Sequence, residues 1–248
     1  MKKRLVTALC VLFWLAVWQV GAMLLNQKIL LVSPVAAAAR LIELVPTAEF
    51  WKSIAFSMGR ILLGFALGLV TGTALAAAAG KCCFFRKLFA PLTAVLKAVP
   101  VASFTILALI WVSSQNLSVL VSFLICVPVV YTNMLEGIDA LDPQLKVMAQ
   151  VFRIPPLRRF TGVYLSQLLP YFRSAAGLAI GLCWKSGTAA EVIGIPDGSI
   201  GENLFMAKVY LETADLFAWT AVIIFVSFLC EKLFMAAVDL VEKQVERM

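Results

Sequence analysis

Long apolar runs restrict this chain to one class of structure. Residues 5–25, 54–79, 171–193 and 215–238 each come near or exceed the ~18 apolar residues of a membrane-crossing helix. Inside a bilayer the backbone must satisfy its own hydrogen bonds, so such runs are helical. At 62% hydrophobic and 14% charged residues, the chain is too apolar for a soluble domain. The expected fold is all-α: one polytopic helical membrane domain over 1–248, with about six transmembrane helices and a multi-pass place in the plasma membrane. A net charge of +7 raises nucleic acid as a partner, but the basic residues cluster between apolar runs and read as topology signals instead.

The first run, 5–25, follows Lys2, Lys3 and Arg4. It is longer than the ~7–15 residues of a signal-peptide core and carries Trp14 and Trp18, so it is expected to stay as the first span. Ser33-Pro34 then starts a short Ala-rich helix outside, and Pro46 follows its end. In the second span Gly64, Gly68, Gly72, Ala76 and Gly80 recur every four residues, a stripe that lets another helix backbone approach closely. Arg60 in the same span either snorkels outward or satisfies helix-end carbonyls. Residues 100–112 and 117–131 are short: ~15 residues reach ~22 Å against a ~30 Å hydrocarbon core. Pro100 and Pro128 interrupt them, and two readings stand: they line a translocation path, or they pack thinly at a helix hairpin. With both termini cytoplasmic, Lys2, Lys3, Arg4, Lys81, Arg86, Lys87, Lys97, Lys146, Arg153, Arg158, Arg159, Lys243 and Arg247 fall inside. Lys28, Arg40, Lys52 and Lys208 fall outside, in agreement with the positive-inside rule.

Between residues 131 and 171 lies the one long polar interval. Asp142-Pro143 is a helix start, because aspartate caps free N–H groups and proline fits the first helical position. Leu145, Met148, Ala149 and Phe152 follow as one apolar stripe. Pro155-Pro156 ends that helix and opens a second carrying Leu157, Phe160 and Tyr164, with Arg153, Arg158 and Arg159 at the corner. Two short amphipathic helices between spans suggest a cytoplasmic knob that docks into a partner's groove.

This interval resembles the coupling loop of ATP-binding-cassette (ABC) importer permeases. Ala149 and Leu165 match the family pattern and Val163 matches conservatively, whereas Val147, Arg153 and Ser166 replace its carboxylate, glycine and first proline. Residues 131–143 and 177–194, with Trp184 and Ala189-Ala190-Glu191, are similar to the nitrate/sulfonate/taurine-type permeases, and so is Ser199-Ile200-Gly201. The resemblance implies a type I-like permease with core helices over 54–238 and a coupling loop over 132–170. It implies a homodimer of permease subunits around a central path, a cytoplasmic ATPase that binds ATP and Mg, and an external binding protein delivering a small anionic or organic solute. Sulfonates, taurine, nitrate and thiamine- or flavin-related precursors are substrates of such permeases.

The residues themselves exclude several chemistries. There is no histidine, and the cysteines at 10, 82, 83, 126, 183 and 230 lack metal-ligand spacing. No catalytic set, metal site, cofactor site or nucleotide site is expected in this chain. Residues 181–186 echo a phosphate-binding loop but lack the glycine before the lysine and lie within a span. The alternative function is a stand-alone secondary carrier or channel, which would favour mid-membrane carboxylates and internal repeats. Glu191 instead lies near the outer end of its span, and no repeat is visible. Lys185 is well inside an apolar span, where a charge costs ~2.5–3.5 kcal/mol at the bilayer centre. Gly177 and Gly181 lie below it, suited to close packing against another helix or a second subunit, with Thr188 above. Two readings stand: Lys185 projects into the central path and attracts an anion, or it snorkels outward or pairs with a carboxylate on another span.

Overall fold

The computed structural model describes residues 2–25, 27, 29–159, 162 and 164–245. Lys28, Phe160, Val163 and Arg247 lie outside the described residues. Among the described residues eleven helices follow in order: α1 Lys2–Leu25, α2 Pro34–Leu44, α3 Ala48–Lys81, α4 Cys83–Ala98, α5 Val101–Ala108, α6 Ser114–Asp139, α7 Pro143–Val151, α8 Pro156–Arg159, α9 Leu165–Gly194, α10 Ile200–Val209 and α11 Thr213–Val245. Among the described residues no strand occurs.

Local chemistry sets the starts. Ser33 Oγ accepts the Ala36 N–H at 3.2 Å beneath Pro34, and Thr47 Oγ1 accepts the Phe50 N–H at 3.4 Å. In α3, Glu49 in the first turn and Lys81 in the last complement the helix dipole. Among the described residues, stretches of α1, α3, α6 and α11 are long and apolar enough to cross a membrane, and α4 with α5, bent by 101° at Val99-Pro100, form either a broken span or a re-entrant loop. With 30 residues, α9 is ~45 Å long, but Arg173, Lys185 and Glu191 make it less apolar than the others.

The core is the contact of α3, α6 and α9. A Cβ on Gly64 would lie 2.4 Å from the Val119 carbonyl oxygen, and one on Gly68 the same distance from Cys126 Cβ. From Gly72, Val130 Cβ would be 2.8 Å away. Where the three helices join, a Cβ on Gly187 of α9 would meet both Ile61 of α3 and Ser122 of α6 at 2.7 Å. Trp184, Ile180, Ile61 and Cys183 are buried in this wedge. α11 packs on α9 and α2, and α10 lies across α9, α11 and the start of α3. α1 touches α2, and its Trp18 ring lies 5.4 Å from Phe217 of α11.

Several segments differ from their sequence-based bounds. Residues 117–131 are not a short span but the middle of a 26-residue helix, α6, ~39 Å long. Pro128 does not end it: Thr132 Oγ1 and Asn133 Nδ2 each donate to the carbonyl four residues back, at 2.5 and 2.9 Å. Polar residues up to Asp139 therefore continue the helix, and α9 begins at Leu165 and passes through Pro170. The polar interval shrinks to about residues 140–164.

Candidate functional site

At one end of the bundle, α7 and α8 hang between the long helices α6 and α9. Asp142 Oδ1 accepts the Gln144 N–H at 2.7 Å, while the Asp142 N–H donates to Gln167 Oε1 at 3.0 Å and ties the turn to α9. The stripe on α7 divides in two. Ala149 is buried at 1% exposure and Leu145 is half-buried, so this pair faces inward. Met148 and Phe152 face out, Phe152 at 73%, beside exposed Val147 and Val151. Helix rotation explains the split, because the i,i+4 pairs 145/149 and 148/152 are three residues apart and diverge by about 60°, so only one meets the core squarely. Arg158 is exposed and Arg159 half-buried.

The helix ends in a left-handed residue, Arg153, at φ 48°. The Ile154 N–H reaches back to the Ala149 carbonyl at 3.0 Å, the six-to-one bond of a glycine-type C-cap. Glycine adopts this conformation freely; here a side chain takes it at a cost of roughly 1–2 kcal/mol. Arg153→Gly should therefore raise stability by about 0.5–1 kcal/mol, after allowing for the greater freedom of glycine in the unfolded chain. The check is the thermal midpoint of the purified protein in detergent, and a lower midpoint would contradict the strained corner.

Along α9, Ser174, Leu178, Leu182, Lys185 and Ala189 form one exposed edge. The opposite face, including Ala176, Ile180, Cys183, Gly187 and Glu191, is buried. Lys185 has no carboxylate within salt-bridge distance among the described residues. Gly177 faces Met235 at 3.6 Å, and Gly181 opens onto free space. Thr188, placed by sequence above Lys185, is instead buried and donates to the Trp184 carbonyl. Pro128 is buried in α6, whereas Pro100 is exposed at the α4–α5 bend. The four candidate path residues thus do not converge; only Lys185 and Pro100 are accessible.

At the far end from α7, the structure assembles a polar cluster that sequence reasoning missed. Glu191 is wholly buried, and its Oε2 accepts from Ser57 Oγ at 2.6 Å and from the Gly201 N–H at 3.4 Å. Ser57 Oγ also accepts the Ile200 N–H at 2.9 Å, and Asn203 Nδ2 donates to Ser53 Oγ at 3.1 Å. The only signal in the chain is a pair of serines one turn apart in an apolar helix. Arg60 stacks on Phe56 at 5.1 Å and bonds Asn116 at the start of α6, so it is satisfied within the protein. Nearby, Arg40 bonds Asp215 and Glu43, whose hydrogen bonds raise its pKa further above its ordinary value.

Among the described residues no group of three or more His, Cys, Asp or Glu side chains is placed to hold a metal ion. The described residues thus form a membrane domain of long helices, with a short helix presenting apolar residues at one end and a cation on an exposed helix edge. The chain belongs to the binding-protein-dependent transport system inner membrane component family, whose pattern matches residues 64–247. It is similar to the SsuC protein of Bacillus subtilis, named for aliphatic sulfonate transport, at 28% identity over 82% of this chain and 74% of that relative. It is 26% identical to the bicarbonate transport permease CmpB of Synechocystis, over 66% of this chain and 58% of the relative. The nitrate import permease NrtB of Leptolyngbya laminosa is likewise 26% identical, over 65% and 57%. The chain therefore spans less than two thirds of the length of these last two relatives.

Proposed function

We propose that this chain is the membrane subunit of an ATP-driven importer for a small anion. A separate cytoplasmic ATPase docks on α7 and supplies the ATP and Mg chemistry, an external binding protein delivers the solute, and a second copy of the chain completes the path. The six spans in this reading are α1, α3, the bent α4–α5 pair, α6, α9 and α11. The basic residues at 81–87 and on α8 then lie inside with both termini, and α2 and α10 lie outside.

The observation that carries the ATPase reading is the divided stripe of α7. Its inner pair anchors a helix whose outer apolar residues, Val147, Met148, Val151 and Phe152, are exposed among the described residues. Covering Phe152 in a groove is worth roughly 1.5–3 kcal/mol, or about ten- to 150-fold in affinity. Phe152→Asp should detach the ATPase while leaving the membrane fold intact, since Phe152 takes no part in the core. Undiminished co-purification of the ATPase with this variant would show that α7 is not the dock.

The exposed edge of α9 favours a second protein surface over lipid, because Lys185 interrupts it. Packing of a second copy along that edge leaves Lys185 facing a shared path, where a cation suits an anionic solute. The substrates named for the relatives, sulfonates, bicarbonate and nitrate, are of that kind.

A further inference from the structure

α1 meets little protein: 6% of its apolar window is buried, and it touches α2 and, through Trp18, Phe217 of α11. Where α1 ends and α11 begins, these two helices and α2 surround a cavity of about 640 Å³. That volume is within the ~300–1,000 Å³ of small-molecule sites. Its wall is tied together by Thr213 Oγ1, which donates to the Ile29 carbonyl at 2.8 Å. Gln19 of α1, in the lining, lies about 9 Å before the end of its helix, and Asp215 is in the first turn of α11. The cavity therefore sits at the boundary of the membrane layer, at the depth of lipid headgroups. On the topology above, that boundary is the outer one.

The lining suits a zwitterion. Gln19 Oε1 is buried without a hydrogen-bond partner, a costly state that any donor in the cavity would relieve. The Glu212 carboxylate, exposed beside the same cavity, has no cation within salt-bridge distance among the described residues. Arg40 is already engaged, through Nε and Nη2 to Asp215 and through Nη1 to Glu43. Those bonds use three of the five guanidinium N–H groups and leave two for another acceptor. One guanidinium thus faces two lining carboxylates, so a cation is favoured beside Gln19 and Glu212 and an anion beside the spare donors of Arg40. Met23 and Val32 give the cavity an apolar side.

We propose that this cavity binds the headgroup of an aminophospholipid, whose ammonium donates to Gln19 Oε1 and Glu212 and whose phosphate accepts from Arg40. The glycerol and the first tail carbons lie against Met23 and Val32, and the tails run on into the membrane beside α1. One lipid molecule then supplies packing that α1 lacks, joining it to α2 and α11. A soluble phosphoamine carries the same polar groups without tails. The depth of the cavity and the sparse protein contacts of α1 favour the lipid.

The test uses the full chain, purified and stripped of lipid in detergent, with its thermal midpoint as the readout. Phosphatidylethanolamine, phosphatidylcholine and phosphatidylglycerol with the same tails are added separately. At about a hundredfold excess over its dissociation constant, phosphatidylethanolamine should raise the midpoint by about 5–10 °C. Phosphatidylcholine, whose ammonium has no N–H, and phosphatidylglycerol, which has no ammonium, should give about half that shift or less. Glu212→Gln and Gln19→Leu should each weaken binding about tenfold, which halves the phosphatidylethanolamine shift and leaves the other two unchanged. Equal shifts with the three lipids, or a full phosphatidylethanolamine shift in either variant, would overturn the headgroup site. An equal shift with soluble phosphoethanolamine would overturn the lipid and assign the cavity to a free amine. Glu212 is exposed, so its variant decides if Gln19→Leu fails to fold.

Discussion

Replacing Gly68 with leucine is expected to leave almost no folded permease in the membrane. A single Cβ at that position would already lie 2.4 Å from Cys126 Cβ and 3.1 Å from the Phe123 carbonyl oxygen, and leucine adds three carbons beyond it. Moving α6 away would also disturb its packing on α9, whose Gly187 meets Ser122 of α6 and Ile61 of α3 where the three helices join. Overpacking a tight core costs about 1–3 kcal/mol and sometimes more, and here the clash is with backbone as well as side chain. Marginal stability of about 5–15 kcal/mol leaves limited room for separating the two central helices. The measurement is the yield of monodisperse protein after extraction in detergent. Gly59→Leu is the control on the same helix, since nothing lies within 4 Å of a Cβ there. Equal recovery of the two variants would mean that α3 and α6 do not meet as described.

The class of fold was legible because hydropathy acts through composition alone: a run such as 5–25 has no other stable place than a membrane helix. The four-residue spacing of glycines on α3 likewise announces a close helix neighbour, but not which one. That identity depends on α6, whose extent was misread. Its Tyr131, Thr132, Asn133 and Glu136 look like the start of a loop, yet an α-helix tolerates polar residues once it leaves the apolar layer. The α7 stripe was visible as a pattern, and its division into an inner and an outer pair was not, because the docking angle of a short helix comes from its anchors at Asp142 and Ala149. The left-handed Arg153 stayed hidden for a different reason: the residue type argues against that conformation, and only the closing bond to Ala149 enforces it. Glu191 was least legible, since its partners Ser57 and Gly201 come from two other helices, Ser57 far away in sequence.

Lys185→Met is expected to lower uptake roughly ten- to hundredfold while the importer assembles normally. The size follows from losing one contact between a cation and an anionic solute, worth about 1.5–3 kcal/mol, at about 1.4 kcal/mol per tenfold. Assembly should survive because Lys185 is exposed on the edge of α9 and holds no carboxylate in this chain among the described residues. Methionine keeps most of the length of the side chain and removes the charge, so the proposed packing of a second copy against Leu182 and Ala189 is preserved. Thr188, about 60° around the helix from Lys185, falls on the buried side of that edge and bonds Trp184. Thr188→Val should therefore leave uptake nearly unchanged, which separates a role in the path from a general sensitivity of α9. The readout that distinguishes the two roles of the lysine is ATP hydrolysis measured beside uptake. Retained ATPase activity with lost uptake places the charge in the path; normal uptake by the methionine variant removes it from the path; loss of assembly makes it a structural charge at the subunit contact.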